Sequence, residues 1–72
     1  MVKVEQKTVE KLGQKIKKLR KNLEITQEGL AARIESSRVY INHIEQGRKS
    51  PSLEILEKIA KVLKVQVKDL FL

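Results

Sequence analysis

The chain has no cysteine, and its only aromatic side chains are Tyr40 and Phe71. Without cysteine, disulfides and zinc–cysteine sites are excluded as sources of stability. With so few aromatics the core must be built from Leu, Ile, Val and Ala, which favours small helices packed closely. No apolar run approaches the ~18 residues of a membrane-spanning helix. The opening MVKVEQKTV lacks the apolar stretch of a signal peptide. A soluble protein of the cytoplasm is therefore expected. The single histidine, His43, has no cysteine or second histidine with which to hold a metal. It also has no nucleophile at the spacing of a catalytic triad. Gly13, Gly29 and Gly47 do not form a phosphate-cradling loop. These absences point away from an enzyme, a metal centre or a cofactor. Internal repeats and low-complexity segments are absent as well.

What is present is charge and helical periodicity. With 72 residues the chain is one domain, near the size where a single core is marginally sufficient and oligomerisation helps. The net charge is +7, which attracts polyanions, either nucleic acid or an anionic surface. The distribution is uneven. Residues 1–21 hold eight Lys or Arg against Glu5 and Glu10, and residues 48–72 hold six basic against three acidic. Between them, residues 22–47 carry only Arg33 and Arg38 against Glu24, Glu28, Glu35 and Glu45. A segment rich in discriminating polar groups, flanked by generic cations, suits a reading element between phosphate binders.

Val9, Leu12, Ile16, Leu19 and Leu23 recur at steps of three and four, which predicts a helix from about Thr8 to Asn22. Its opposite face, Lys11, Lys15, Lys17, Lys18 and Lys21, is either a solvated face or a phosphate contact. Thr26 is a good N-cap for a second helix with Leu30, Ala31 and Ile34 as its apolar stripe. Glu35, Ser36 and Ser37 break the pattern, and a serine is available to cap a third helix. In that helix Tyr40, Ile41 and Ile44 point one way, and Gly47 is placed to end it. Arg48-Lys49-Ser50-Pro51 follows as a basic loop. Ser52 caps a fourth helix whose buried positions are Leu53, Leu56, Ile59, Ala60 and Leu63, and a last short turn spans about Val67 to Phe71. Five short helices in an all-α bundle are the expected architecture, with residues 1–9 an extension that can be flexible and 10–72 the domain.

Two helices joined by three or four residues must cross steeply, and a small residue such as Ala31 lets them approach. That is helix-turn-helix geometry, in which the second member enters the major groove of DNA. It leaves Ser37, Arg38, Val39, Asn42 and His43 on the outward face.

ITQEGLAARI and SRVYINHIEQGRKSPSLEILEKIAKVL resemble the Cro/repressor-type, or XRE, helix-turn-helix family with its lambda-repressor-like domain. The resemblance spans roughly residues 10–71. It rests on the TQ-E-LA start of the second helix, an Ile six residues after the turn, the IE-x-G ending and PSLEILEKIAKVL. Compact members include phage repressors, antitoxins and controller proteins of restriction–modification systems, and the last group is the most similar. The resemblance implies a transcriptional regulator, a homodimer on a pseudo-palindromic double-stranded operator. An antitoxin that also binds a toxin is the alternative, and a membrane-surface helix over 8–23 would leave the rest of the chain unexplained.

By position, Gln27 would bond a backbone phosphate, Arg38 would fork onto guanine, and Val39 would meet a thymine methyl. Asn42 would pair with adenine, His43 with a base edge or phosphate, while Arg48 and Lys49 hold the backbone. Arg20 would pair with Glu45 as a structural ion pair. Val67, Leu70, Phe71 and Leu72, with part of the fourth helix, either form the dimer contact or close the monomer's own core. Two positions depart from the family pattern. Glu35 stands where glycine is usual because φ is positive there, at a cost of about 1 kcal/mol, and Ser36 replaces an apolar residue.

Overall fold

A computed structural model describes residues 5–72. Four α-helices follow one another: α1 (Gln6–Asn22), α2 (Gln27–Arg33), α3 (Arg38–Glu45) and α4 (Leu53–Leu63). The fifth element expected from the sequence is a 3-10 helix, Val67–Phe71, so the all-α bundle has four α-helices and one tighter turn. The first helix begins at Gln6, two residues earlier than the spacing predicts. The boundary expected after residue 9 therefore falls inside α1, where Val9 is already buried. The remainder of the expected extension, residues 1–4, lies outside the described residues.

Helix starts follow the polar caps. The hydroxyls of Thr26, Ser37 and Ser52 accept from the amides of Gly29 (2.9 Å), Tyr40 (3.1 Å) and Ile55 (3.2 Å). Each satisfies one amide that has no carbonyl in its own helix. Helix ends follow one rule too. After α1, α2, α3 and α4 the chain turns through Glu24, Glu35, Gly47 and Lys64, all with positive φ. At each end the next amide reaches back five residues: Ile25 to the Arg20 carbonyl, Ser36 to Ala31, Arg48 to His43 and Val65 to Ala60. This pattern closes a helix most cheaply on glycine. Here only one of the four turn residues is glycine.

The core is formed where the stripes of all five elements meet. Ile16, Leu30, Ile41, Ile44, Ile59 and Leu70 are its fully buried large side chains, each contributing roughly 1.5–3 kcal/mol from burial. Leu12, Ala31, Ile34, Leu56, Ala60 and Leu63 fill the space between them. Leu53, expected among the buried positions, is 63% exposed. It is in phase with the α4 stripe, but as the first residue of the helix it lies where the stripe runs off the core. Leu23, the last of the α1 stripe, is the C-cap residue and is likewise exposed.

The crossing of α1 over the end of α3 depends on Gly13. A Cβ there would lie 2.2 Å from the Ile44 carbonyl oxygen, closer than any real contact, so the two backbones approach because the side chain is missing. Periodicity alone gives no hint of this role. Gln6 reinforces the same contact by donating from Nε2 to the Gly47 carbonyl at 2.8 Å.

Candidate nucleic-acid interface

The turn between α2 and α3 sets the site. Ile34 caps α2, Glu35 adopts φ +56°, and Ser37 caps α3, so four residues, 34–37, join two helices that pack against each other. Ile41 and Ile44 bury the inner face of α3, with Tyr40 half-buried beside them. The outer face then carries Ser37, Arg38 and Val39, which are exposed, and Asn42 and His43, which are partly so. Val39 is 53% exposed, one of five large apolar side chains exposed among the described residues. Arg38 has no acidic group within 4 Å among the described residues. It borders an open groove with Thr26, Gln27 and Glu28, where the two helices meet. Arg48 and Lys49 are exposed just past the end of α3.

Behind this face, Arg20 of α1 and Glu45 of α3 are both buried and form a two-pronged ion pair. Nε donates to Oε2 at 2.6 Å and Nη2 to Oε1 at 3.0 Å. Nη1 donates to the Ile25 carbonyl at 2.8 Å, so the guanidinium also fixes the chain entering α2. Such forked pairing is the geometry in which arginine binds carboxylate best. No buried side-chain nitrogen or oxygen among the described residues lacks a partner.

Gln27 differs from its expected role. Its Nε2 donates to Glu45 Oε1 at 3.0 Å and to Asn42 Oδ1 at 3.2 Å. Both amide protons are thus engaged inside the protein, and the phosphate bond expected of this side chain has no donor left. Asn42 differs as well. Its Oδ1 accepts from Gln27 and, at 3.4 Å, from Gln46 Nε2, so the oxygen that adenine pairing requires is occupied. Gln46 itself was missed by sequence reasoning. It lies one turn beyond Asn42 and is exposed, and that spacing was the available signal.

The C-terminal set divides. Leu70 is 1% exposed and belongs to the monomer's core, with Val67 packed against it. That burial removes Leu70 from the expected dimer contact. Phe71 and Leu72 remain 51% and 84% exposed and line a groove with Thr8, Lys11 and Leu12 of α1. Among the described residues, no helix is long and apolar enough to cross a membrane.

Comparison with known proteins agrees with this arrangement. Residues 16–70 match the helix-turn-helix family. The control protein C.MunI of a Mycoplasma species is 42% identical over 62 residues, which cover 85% of this chain and 84% of that protein. The control protein C.BamHI of Bacillus amyloliquefaciens is 44% identical over 59 residues, covering 81% of this chain and 73% of its own length. Among solved structures, the restriction-modification controller protein C.AhdI from Aeromonas hydrophila superposes with a TM-score of 0.84 at 32% identity. That alignment covers 88% of this chain and 96% of C.AhdI. Two short helices packed together across a four-residue turn, an outward face on α3 and relatives of similar compact length lead to one conclusion: the chain belongs to the XRE-type helix-turn-helix family of DNA-binding transcription regulators.

Proposed function

We propose that this protein is a homodimeric, sequence-specific regulator of transcription that acts in the cytoplasm as a controller protein. Each protomer places α3 in the major groove of one half of a pseudo-palindromic operator. The observation that carries the reading is the outward face of α3. Arg38, Val39 and His43 make no side-chain hydrogen bond or ion pair to the described residues, yet they lie on a helix whose inner face is locked by Ile41, Ile44 and Glu45. Side chains so held and so unoccupied suit base edges, with Arg38 for guanine and Val39 for a thymine methyl. Ser37, Arg48 and Lys49 at the two ends of α3 suit phosphates, which position the helix without reading sequence. The +7 charge supplies the general attraction.

The second protomer is expected on the exposed apolar side chains Phe71 and Leu72, with Leu53 as an additional candidate. Half-sites would then lie about one helical turn apart, on one face of the duplex.

Selection of bound DNA from a random pool tests the whole reading at once. The expected product is an inverted repeat with a fixed half-site spacing. A pool that shows no enriched motif, even at low salt where electrostatic binding is strongest, would sink the proposal.

A further inference from the structure

The hydrogen-bond chain behind α3 has a direction, and that direction reaches the surface. Arg20 can only donate, and it donates to both oxygens of Glu45. The Glu45 carboxylate can only accept, so Gln27 must turn its NH2 group, not its oxygen, toward Oε1. The second proton of that same NH2 group points at Asn42, which must therefore offer Oδ1. Gln46 Nε2 adds a second donor to the same oxygen. Each amide along the chain has its orientation dictated by the one before it. Asn42 is left with Oδ1 held inward and Nδ2, a pure donor, without a partner among the described residues, on a partly exposed position of α3.

We propose that Asn42 is a specificity-determining residue of fixed polarity, which donates to base acceptors and selects guanine over adenine at its base pair. Pairing of asparagine with adenine needs Oδ1 to accept from N6–H while Nδ2 donates to N7. Here the oxygen is withheld, and the adenine N6–H group would meet the amide's own N–H. Guanine instead presents two acceptors, N7 and O6, to the same NH2 group. The buried ion pair and Gln27 thus act as positioning residues that decide which way Asn42 reads.

This inference rests on α3 being the DNA-reading helix, and the experiment separates the two. Asn42→Ala, taken through selection from a random pool, identifies the base pair whose preference depends on residue 42. At that pair the unaltered protein is expected to favour guanine over adenine on the order of fivefold or more. Asn42→Asp, with the same inward acceptor but an outward oxygen, is expected to move the preference to cytosine, whose N4 amine donates. Gln27→Met combined with Gln46→Met removes both donors that hold Oδ1, so the guanine-to-adenine ratio should fall toward one while the preference at the Arg38 base pair is kept. An adenine preference in the unaltered protein, or a ratio indifferent to removal of both donors, would overturn the proposal.

A readout without DNA examines the chain itself. The side-chain amide protons of Gln27 should exchange with water at least about tenfold more slowly than those of Asn42, because both are internally bonded. Equal exchange rates would overturn the relay. If no DNA motif is enriched, the proposal falls with the functional reading, and slow Gln27 exchange would show that the failure lies in the DNA link and not in the hydrogen-bond chain.

Discussion

Arg20 on α1 and Glu45 on α3 meet through hydrogen bonds of 2.6 and 3.0 Å at a site where both side chains are almost fully buried. Removing one charge would leave the other stranded in the interior. Arg20→Met is expected to lower the unfolding free energy by about 3–5 kcal/mol, read from urea denaturation. Arg20→Met combined with Glu45→Leu should recover a good part of that loss, because no uncompensated charge is then buried. A single mutant within 1 kcal/mol of the parent, about the cost of losing a surface ion pair, would mean that the pair is far more hydrated than its burial implies.

Glu24, Glu35 and Lys64 hold left-handed backbone conformations without being glycine. Replacing Glu35 by Gly should stabilise the protein by about 0.5–1 kcal/mol, with relief of strain outweighing the greater freedom of the unfolded chain. The operator should stay the same, since Glu35 lies in the turn and not on the outward face of α3. Thermal melting with operator selection alongside checks both halves. A destabilised variant would show that the turn is not strained.

Gly13→Ala is expected to act in the opposite sense. The added methyl group meets backbone, the Ile44 carbonyl at 2.2 Å, and backbone cannot swing aside as a side chain would. Overpacking of this kind costs about 1–3 kcal/mol. Because the displaced segment is the end of α3, operator affinity should fall further than stability accounts for. Binding measured at a temperature where the variant is fully folded makes the distinction.

Arg38→Ala and Lys49→Ala should differ in kind. The first is expected to relax base preference at one position of each half-site, at a cost of about 1–3 kcal/mol for the preferred base. The second should weaken binding to all sequences alike and make the dependence on salt shallower by about one counterion per half-site. Titrations of operator and scrambled DNA at several salt concentrations separate the two. Equal, sequence-independent losses would remove the base-reading role from Arg38.

Phe71→Asp probes the proposed protomer contact. The side chain is half exposed on the monomer, so the fold should survive with its helical content unchanged. Sedimentation equilibrium should show at least tenfold weaker self-association. An unaltered protein that is already monomeric at micromolar concentration would refute the dimer.

The parts legible in the sequence were those written in local chemistry. Apolar steps of three and four located the helices, and Thr26, Ser52 and a serine of the Ser36-Ser37 pair, which the structure shows to be Ser37, marked three of their starts because a short hydroxyl side chain satisfies a free amide directly. The φ of Glu35 could be anticipated only through family resemblance, since glutamate does not announce a left-handed turn. The equivalent turns at Glu24 and Lys64 went unread for the same reason. Gly13 looked like an ordinary helical residue because its purpose is set by a carbonyl on another helix. Leu70 was indistinguishable from Phe71 and Leu72 until the 3-10 helix turned one inward and two outward. The roles of Gln27 and Asn42 were hardest to foresee, because they follow from which atom of an amide faces which neighbour.

The outward face of α3 is unequally tied to the rest of the molecule, and this bears on how such a protein can change over generations. Positions 38, 39 and 43 carry no side-chain hydrogen bond to the described residues, so substitutions there can alter the sequence that is recognised at little structural expense. Position 42 is chained through Gln27 to the interior and can be altered only together with its supports. Descendants should therefore diversify their operators quickly at three positions and slowly at the fourth, so that one base pair of the site becomes its most persistent inheritance.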